Sequence, residues 1–105
     1  MLPKQRRIPR DLFGLLKKAK TFSNSIFFAK LAKYDGKQSR FSVSVSKKVA
    51  KKAVLRNKMR RLGYRILGEN IEKINKPILL QISWIKNANQ REVEAAIRDI
   101  ITKIQ

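Results

Sequence analysis

Apolar residues in this chain recur at two spacings, every second position in some stretches and every third or fourth in others, and the switches between them lay out its elements. Residues 1–8 read as a flexible basic lead-in. Pro9 then serves as a first helical residue for "PRDLFGLLKKAK", with Leu12, Phe13, Leu15 and Leu16 on one apolar side and Gly14 weakening the helix. "SIFFAKLAK" (Ser25–Lys33) predicts a strand and "YDGKQ" (Tyr34–Gln38) the turn after it, with a short extra strand around Thr21–Ser23. "RFSVSVS" alternates cleanly, placing Phe41, Val43 and Val45 on one face and Ser42, Ser44 and Ser46 on the other. These two strands suit a hairpin.

From about Lys51 the period becomes helical. Leu55, Met59, Leu62 and Ile66 stack along one core-facing stripe. Arg56, Asn57, Arg60 and Tyr64 fall on the side turned away from it, and Lys58, Arg61 and Arg65 lie along one flank. Gly68 and Asn70 are stop signals. "KPILLQISW" is a dense apolar run with Pro77 at its start, as a buried strand requires. The final helix opens on Asn89 and Glu92 at capping-box spacing and carries its stripe on Val93, Ile97, Ile100 and Ile104. The order is helix, two or three strands, helix, strand, helix: one domain over residues 1–105, an α/β sandwich of one sheet with helices.

Charge changes the picture from a plain small domain to one with a polyanionic partner. The formal net charge is +19, and 43% apolar residues argue for a folded chain rather than a basic tail. Residues 1–65 hold 20 Lys/Arg against Asp11 and Asp35, while residues 66–105 hold six against five acids. The densest block contains Lys47, Lys48, Lys51, Lys52, Arg56, Lys58, Arg60, Arg61 and Arg65 without one acid between them. Such a cluster repels itself in the free protein. A solvated helix face would mix signs at i, i+4, and this one does not. Arg suits phosphate through its planar fork, and Asn57 among the arginines can bond a 2′-hydroxyl or a base edge.

Several function classes drop out. There is no cysteine or histidine, and the seven carboxylates are scattered, so neither a metal cage nor an acid/base pair is indicated. No apolar run reaches the ~18 residues of a membrane span. The N-terminus lacks the apolar region of a signal peptide, which makes a cytoplasmic location the default. A duplex-DNA recognition helix is also basic, but the serine face of "FSVSVS" and the aromatics Phe13, Phe22, Phe27 and Phe28 favour single-stranded RNA. A structural RNA binder such as a ribosomal protein, with no role in cleavage, is the alternative within the RNA-binding class.

"SVSKKVAKKAVLRNKMRR" closely resembles the signature of the bacterial ribonuclease P protein subunit, a strand ending V-S-K-K followed after a short connection by A-V-x-R-N-R-x-K-R. The opening "MLPKQRRIPRDLF" is similar to that family's start. The resemblance implies an α-β-β-β-α-β-α two-layer sandwich with a central four-stranded sheet and a left-handed βαβ crossover, the ribosomal protein S5 domain 2-like fold. It implies a partner in the catalytic ribonuclease P RNA, one protein per RNA, and a second partner in the 5′ leader of precursor tRNA. Cleavage is then RNA-catalysed by Mg²⁺ bound mainly by the RNA, with no catalytic residue and no metal ligand from the protein.

Carried over by position, the family's R-N-R falls on Arg56, Asn57 and Lys58, its K-R on Arg60 and Arg61, and its strand-end pair on Lys47 and Lys48. Lys51, Lys52 and Arg65 extend the expected catalytic-RNA contact. Lys58 stands where the family pattern has a third Arg, keeping charge but losing the fork. Phe13, with Lys17 nearby, is expected to line the leader-binding cleft together with one face of the sheet. Phe28 or Phe27, Phe41 and Ser44 are the sheet candidates, and strand register decides among them.

Overall fold

A computed structural model describes residues 6–74 and 76–104. The elements are a 3₁₀ helix (Arg10–Lys18), β1 (Lys20–Ser23), β2 (Phe27–Lys33), β3 (Arg40–Ser44), α1 (Ala53–Asn70), a short 3₁₀ turn (Ile71–Lys73), β4 (Ile78–Trp84) and α2 (Gln90–Ile104). This is the expected element order, with the additional strand present and the first helix wound as 3₁₀. Leu12 N–H donates to Pro9 O and Ala19 N–H to Leu16 O, both three residues back. Pro9 is the residue before this helix rather than its first member.

The sheet runs β1-β2-β4-β3. β1 and β2 are antiparallel neighbours, β2 and β4 are antiparallel, and β3 runs parallel to β4. The hairpin expected between β2 and β3 is therefore a correction: β4 lies between them, and the hairpin is β1–β2. The reason lies in β4, where Ile78, Leu79, Leu80, Ile82 and Trp84 are all buried and both faces need cover. A strand of that composition is stabilised most in the sheet centre. β3, being parallel to it, needs a long crossover, which α1 supplies.

Both helices cover one face. Phe27, Phe41, Val43, Leu80, Ile82 and Trp84 pack there against Met59, Ile66 and Leu67 of α1 and Val93, Ile97 and Ile100 of α2. Phe27 meets Trp84 edge-on, with ring centroids 4.9 Å apart. On the opposite face a smaller cluster joins Leu79 to Ile8 and Leu16, with Leu12, Ala19, Ala32 and Tyr34 around it. The apolar side expected of the first helix thus divides: Leu12 and Leu16 turn inward, while Phe13 and Leu15 are exposed. The predicted α1 stripe holds at Met59 and Ile66, with Leu55 and Leu62 half-buried beside it and Gly63 also buried.

The lead-in requires a second correction. Residues 1–5 lie outside the described residues, but Arg6–Ile8 are built into the fold. Ile8 is buried, its N–H donates to Phe41 O at 2.9 Å, and Arg7 bridges to Phe41 in parallel. An edge strand with open hydrogen-bonding groups is an association hazard, and this segment covers part of β3's outer side. At the other end, Asn24 holds the β1–β2 turn by accepting from the N–H groups of Ile26 and Phe27 and donating to Ala96 O and to Asp99. That amide and then Lys103 hold the Asp99 carboxyl below the ordinary aspartate range. The capping box forms as read: Glu92 N–H donates to Asn89 Oδ1 at 2.9 Å and Asn89 N–H to Glu92 Oε1 at 3.3 Å.

Candidate nucleic-acid interface

The strand-to-helix connection after β3 and the first turns of α1 build a cationic corner. Lys47, Lys48, Lys51 and Lys52 are exposed on it. α1 begins after Lys52, has no acid in its first turn and no base in its last. That arrangement is the inverse of what the helix dipole favours, since the positive end of the dipole adds to the lysines' field. Unpaired N–H groups at the helix start and the surrounding cations together suit phosphate.

Arg56 anchors this corner. Its Nη1 donates to Ala50 O at 2.9 Å and to Lys51 O at 2.8 Å. Arg60 Nη2 donates to Asn57 Oδ1 at 2.7 Å, so Asn57 aims the guanidinium one turn along. Arg60 Nε is buried with no hydrogen-bond partner among the described residues. Lys58, Arg61 and Arg65 line a groove on the other flank of α1. Arg65 Nε also lies 3.8 Å from Glu69 Oε1, an exposed pair worth little. The ten candidate RNA-contacting residues therefore occupy the connection and two sides of one helix rather than a single face.

One part of the helical-wheel reading changes. Tyr64 does not turn away from the fold: it is half-buried, its hydroxyl accepts the Val43 N–H at 3.2 Å, and Arg7 stacks its guanidinium 4.8 Å from the ring centroid. The Arg56/Arg60 side consequently borders the outer edge of β3. Val54, in the first turn of α1, exposes 79% of its surface among the cations.

The second surface is the sheet face left open beside the Leu79 cluster. Pairing places Phe28 opposite Ser83, Lys30 opposite Gln81, Ser42 opposite Gln81 and Ser44 opposite Ser83, all on that face. Ser44 and Ser83 share a hydrogen bond between their hydroxyls at 2.8 Å. Phe28 is 38% exposed here, and Phe13 is 36% exposed on the bordering 3₁₀ helix, with Lys17 also exposed. Register decides against the remaining candidates. Phe41 is 0% exposed, as is Phe27, because odd positions of β2 and β3 point into the helix layer. Phe41 is thus a core residue and leaves the site.

Four residues of this face, Lys30, Arg40, Gln81 and Ser83, escaped the sequence reading. Lys30 and Arg40 carry a signal, since each lies two residues from a position of the open face (Phe28 and Ser42) in its own strand. Gln81 and Ser83 carry none until β4 is known to lie between β2 and β3. Among the described residues no three His, Cys, Asp or Glu side chains gather as metal ligands. No helix there is long and apolar enough to cross a membrane.

Comparison with known proteins agrees with this architecture. The RNase P protein from Thermotoga maritima superposes with a TM-score of 0.82 at 23% identity, covering 94% of this chain and 97% of that one. A Staphylococcus aureus RNase P protein mutant with defective mRNA degradation activity gives 0.83 at 22% identity, covering 95% and 88%. The Staphylococcus aureus RNase P protein itself gives 0.82 at 19% identity, covering 95% of both chains. At these identities the likeness speaks for the fold. No curated protein gives a significant sequence match. The model of the family described as Ribonuclease P, however, matches residues 2–105, and the chain belongs to the ribonuclease P protein family.

Proposed function

We propose that this chain binds the catalytic RNA of ribonuclease P through the corner between β3 and α1, and the 5′ leader of precursor tRNA through the open sheet face. Membership of the family makes it a subunit of an endoribonuclease of tRNA processing, with ribonuclease P RNA as its partner. The observation that carries the finer reading is the inverted charge of α1, cations without acids at the positive end of the helix dipole. That cost in the free protein is offset only when phosphate arrives. Lys47, Lys48, Lys51 and Lys52 supply the field, Arg60 oriented by Asn57 supplies a directed fork, and Arg56 holds the connection in shape.

The leader reading rests on the shallow face between Phe28, the Ser44–Ser83 pair and the exposed Phe13. Unpaired bases stack on exposed aromatic rings, and small hydroxyl side chains leave room for them. Lys17, Lys30 and Arg40 are placed to meet the accompanying phosphates. In this reading Mg²⁺ belongs to the RNA, and the protein contributes binding and positioning.

The test is 5′-leader cleavage of a precursor tRNA by ribonuclease P RNA at low Mg²⁺, with and without the protein. Stimulation that is lost in Arg60→Ala supports the subunit mechanism. Binding without stimulation would leave a structural RNA-binding protein.

A further inference from the structure

The RNA-facing corner does not use the groove on the other flank of α1. Its volume is about 430 Å³, and it runs between that flank and the connection from β4 to α2. Lys58, Arg61 and Arg65 form one wall, and the opposite wall carries Asn87, Ala88 and Gln90. Between them the floor is apolar, formed chiefly by Leu62, Met59 and Trp84. Met59 and Trp84 are buried, so this floor is recessed rather than a patch on the surface.

Two features together narrow the occupant. Among the described residues the lining contains cations and amides but no carboxylate. Glu69, the acid paired with Arg65, lies beyond it. A free phosphate would be held by such cations but gains nothing from an apolar floor. A lipid surface cannot reach into a recess. A nucleotide has both parts: a flat base with an apolar face for the floor and a phosphate for the wall. The size suits a group of that kind.

We propose that this groove takes one unstacked nucleotide of the partner RNA, its base against Leu62 and the edge of Trp84 and its phosphate between Lys58 and Arg61. The proposal rests on the RNA-binding reading above and adds a base-dependent contact to one that otherwise tracks the backbone. α1 is then gripped from both sides, by phosphates along Arg60 and by an extruded base on the opposite flank.

Trp84 is the chain's one tryptophan, so its emission reports on the groove directly. The experiment titrates the full chain with a single-stranded adenosine pentaribonucleotide and with the same pentamer made abasic at every position, each followed through Trp84 emission. The expected result is a saturable change in Trp84 emission with the first, and at least fivefold weaker binding of the second. Ala88→Leu fills the groove without altering charge and should make the two pentamers bind equally. Arg61→Gln is exposed and provides a second variant should Ala88→Leu not fold; it should reduce pentamer affinity and the emission change together. Equal binding of the two pentamers by a chain that still stimulates precursor cleavage would overturn the groove and leave the subunit reading standing. Discrimination that persists in Ala88→Leu would place the base elsewhere and overturn the groove as well.

Discussion

The hydroxyl of Tyr64 accepts the backbone N–H of Val43 at 3.2 Å, tying the cationic helix to the side of β3 that β4 does not pair. One side chain thereby satisfies an edge-strand donor and fixes where α1 sits over the sheet. Tyr64→Phe keeps the ring and its contact with Arg7 but removes the acceptor. It should cost about 1 kcal/mol in urea unfolding. The Val43 amide should show the accompanying rise in hydrogen exchange, and unchanged protection there would remove the hydroxyl from this role.

Gly63 makes a contact that no other residue allows without adjustment. A Cβ placed there would lie 2.9 Å from Val43 Cγ1 and 3.6 Å from Trp84 Nε1. In an exposed helix interior Gly→Ala stabilises by about 1 kcal/mol. Here the expected sign is reversed, with Gly63→Ala destabilising by about 1–2 kcal/mol because a β-branched neighbour cannot yield cheaply. Adding Val43→Ala should recover part of the loss relative to the two single changes summed, which a double-mutant cycle by urea unfolding measures.

Arg56 and Arg60 should separate into different phenotypes. Arg56 holds the Ala50 and Lys51 carbonyls, so Arg56→Ala should lower stability by about 1 kcal/mol as well as RNA affinity. Arg60 holds only Asn57 among the described residues, so Arg60→Ala should reduce RNA affinity with stability nearly unchanged. With ~6 phosphate contacts, the log–log dependence of affinity on salt should have a slope of roughly −4 to −5 for the intact chain, about one unit shallower in Arg60→Ala. A slope near zero in the intact chain would sink the cationic-corner argument.

Phe28 and Phe41 should behave as opposites although both belong to the β strands of one sheet. Phe28→Ala should leave stability within about 1 kcal/mol and reduce the preference for precursor over mature tRNA. Phe41→Ala should cost about 3–5 kcal/mol and reduce every activity through unfolding. Equal losses of precursor and mature tRNA binding in Phe28→Ala, with the fold intact, would count against a leader site on the sheet.

The features legible in the sequence are those set by nearby residues. The alternation of "RFSVS" put Phe41 and Ser44 on opposite faces, and the capping box at Asn89 and Glu92 placed the start of α2 where it is observed. The unbroken run of cations along α1 marked the candidate interface. Resemblance to a known family carried the four-stranded sandwich, whereas the spacing reading paired β2 with β3 in a hairpin that β4 in fact separates.

What the sequence determined by itself was which residues share a face within the strands and, Tyr64 apart, the two α-helices, because that depends only on a fixed local period. The 3₁₀ winding of the first helix broke the α spacing there. Tertiary structure decided which elements meet. It inserted β4 between β2 and β3, brought Arg6–Ile8 onto the β3 edge, turned Tyr64 inward and joined Gln81 and Ser83 to the open face with Phe28. Those outcomes follow from burying both faces of β4 and satisfying the free edge of β3, and pairings between distant segments leave no period in the chain.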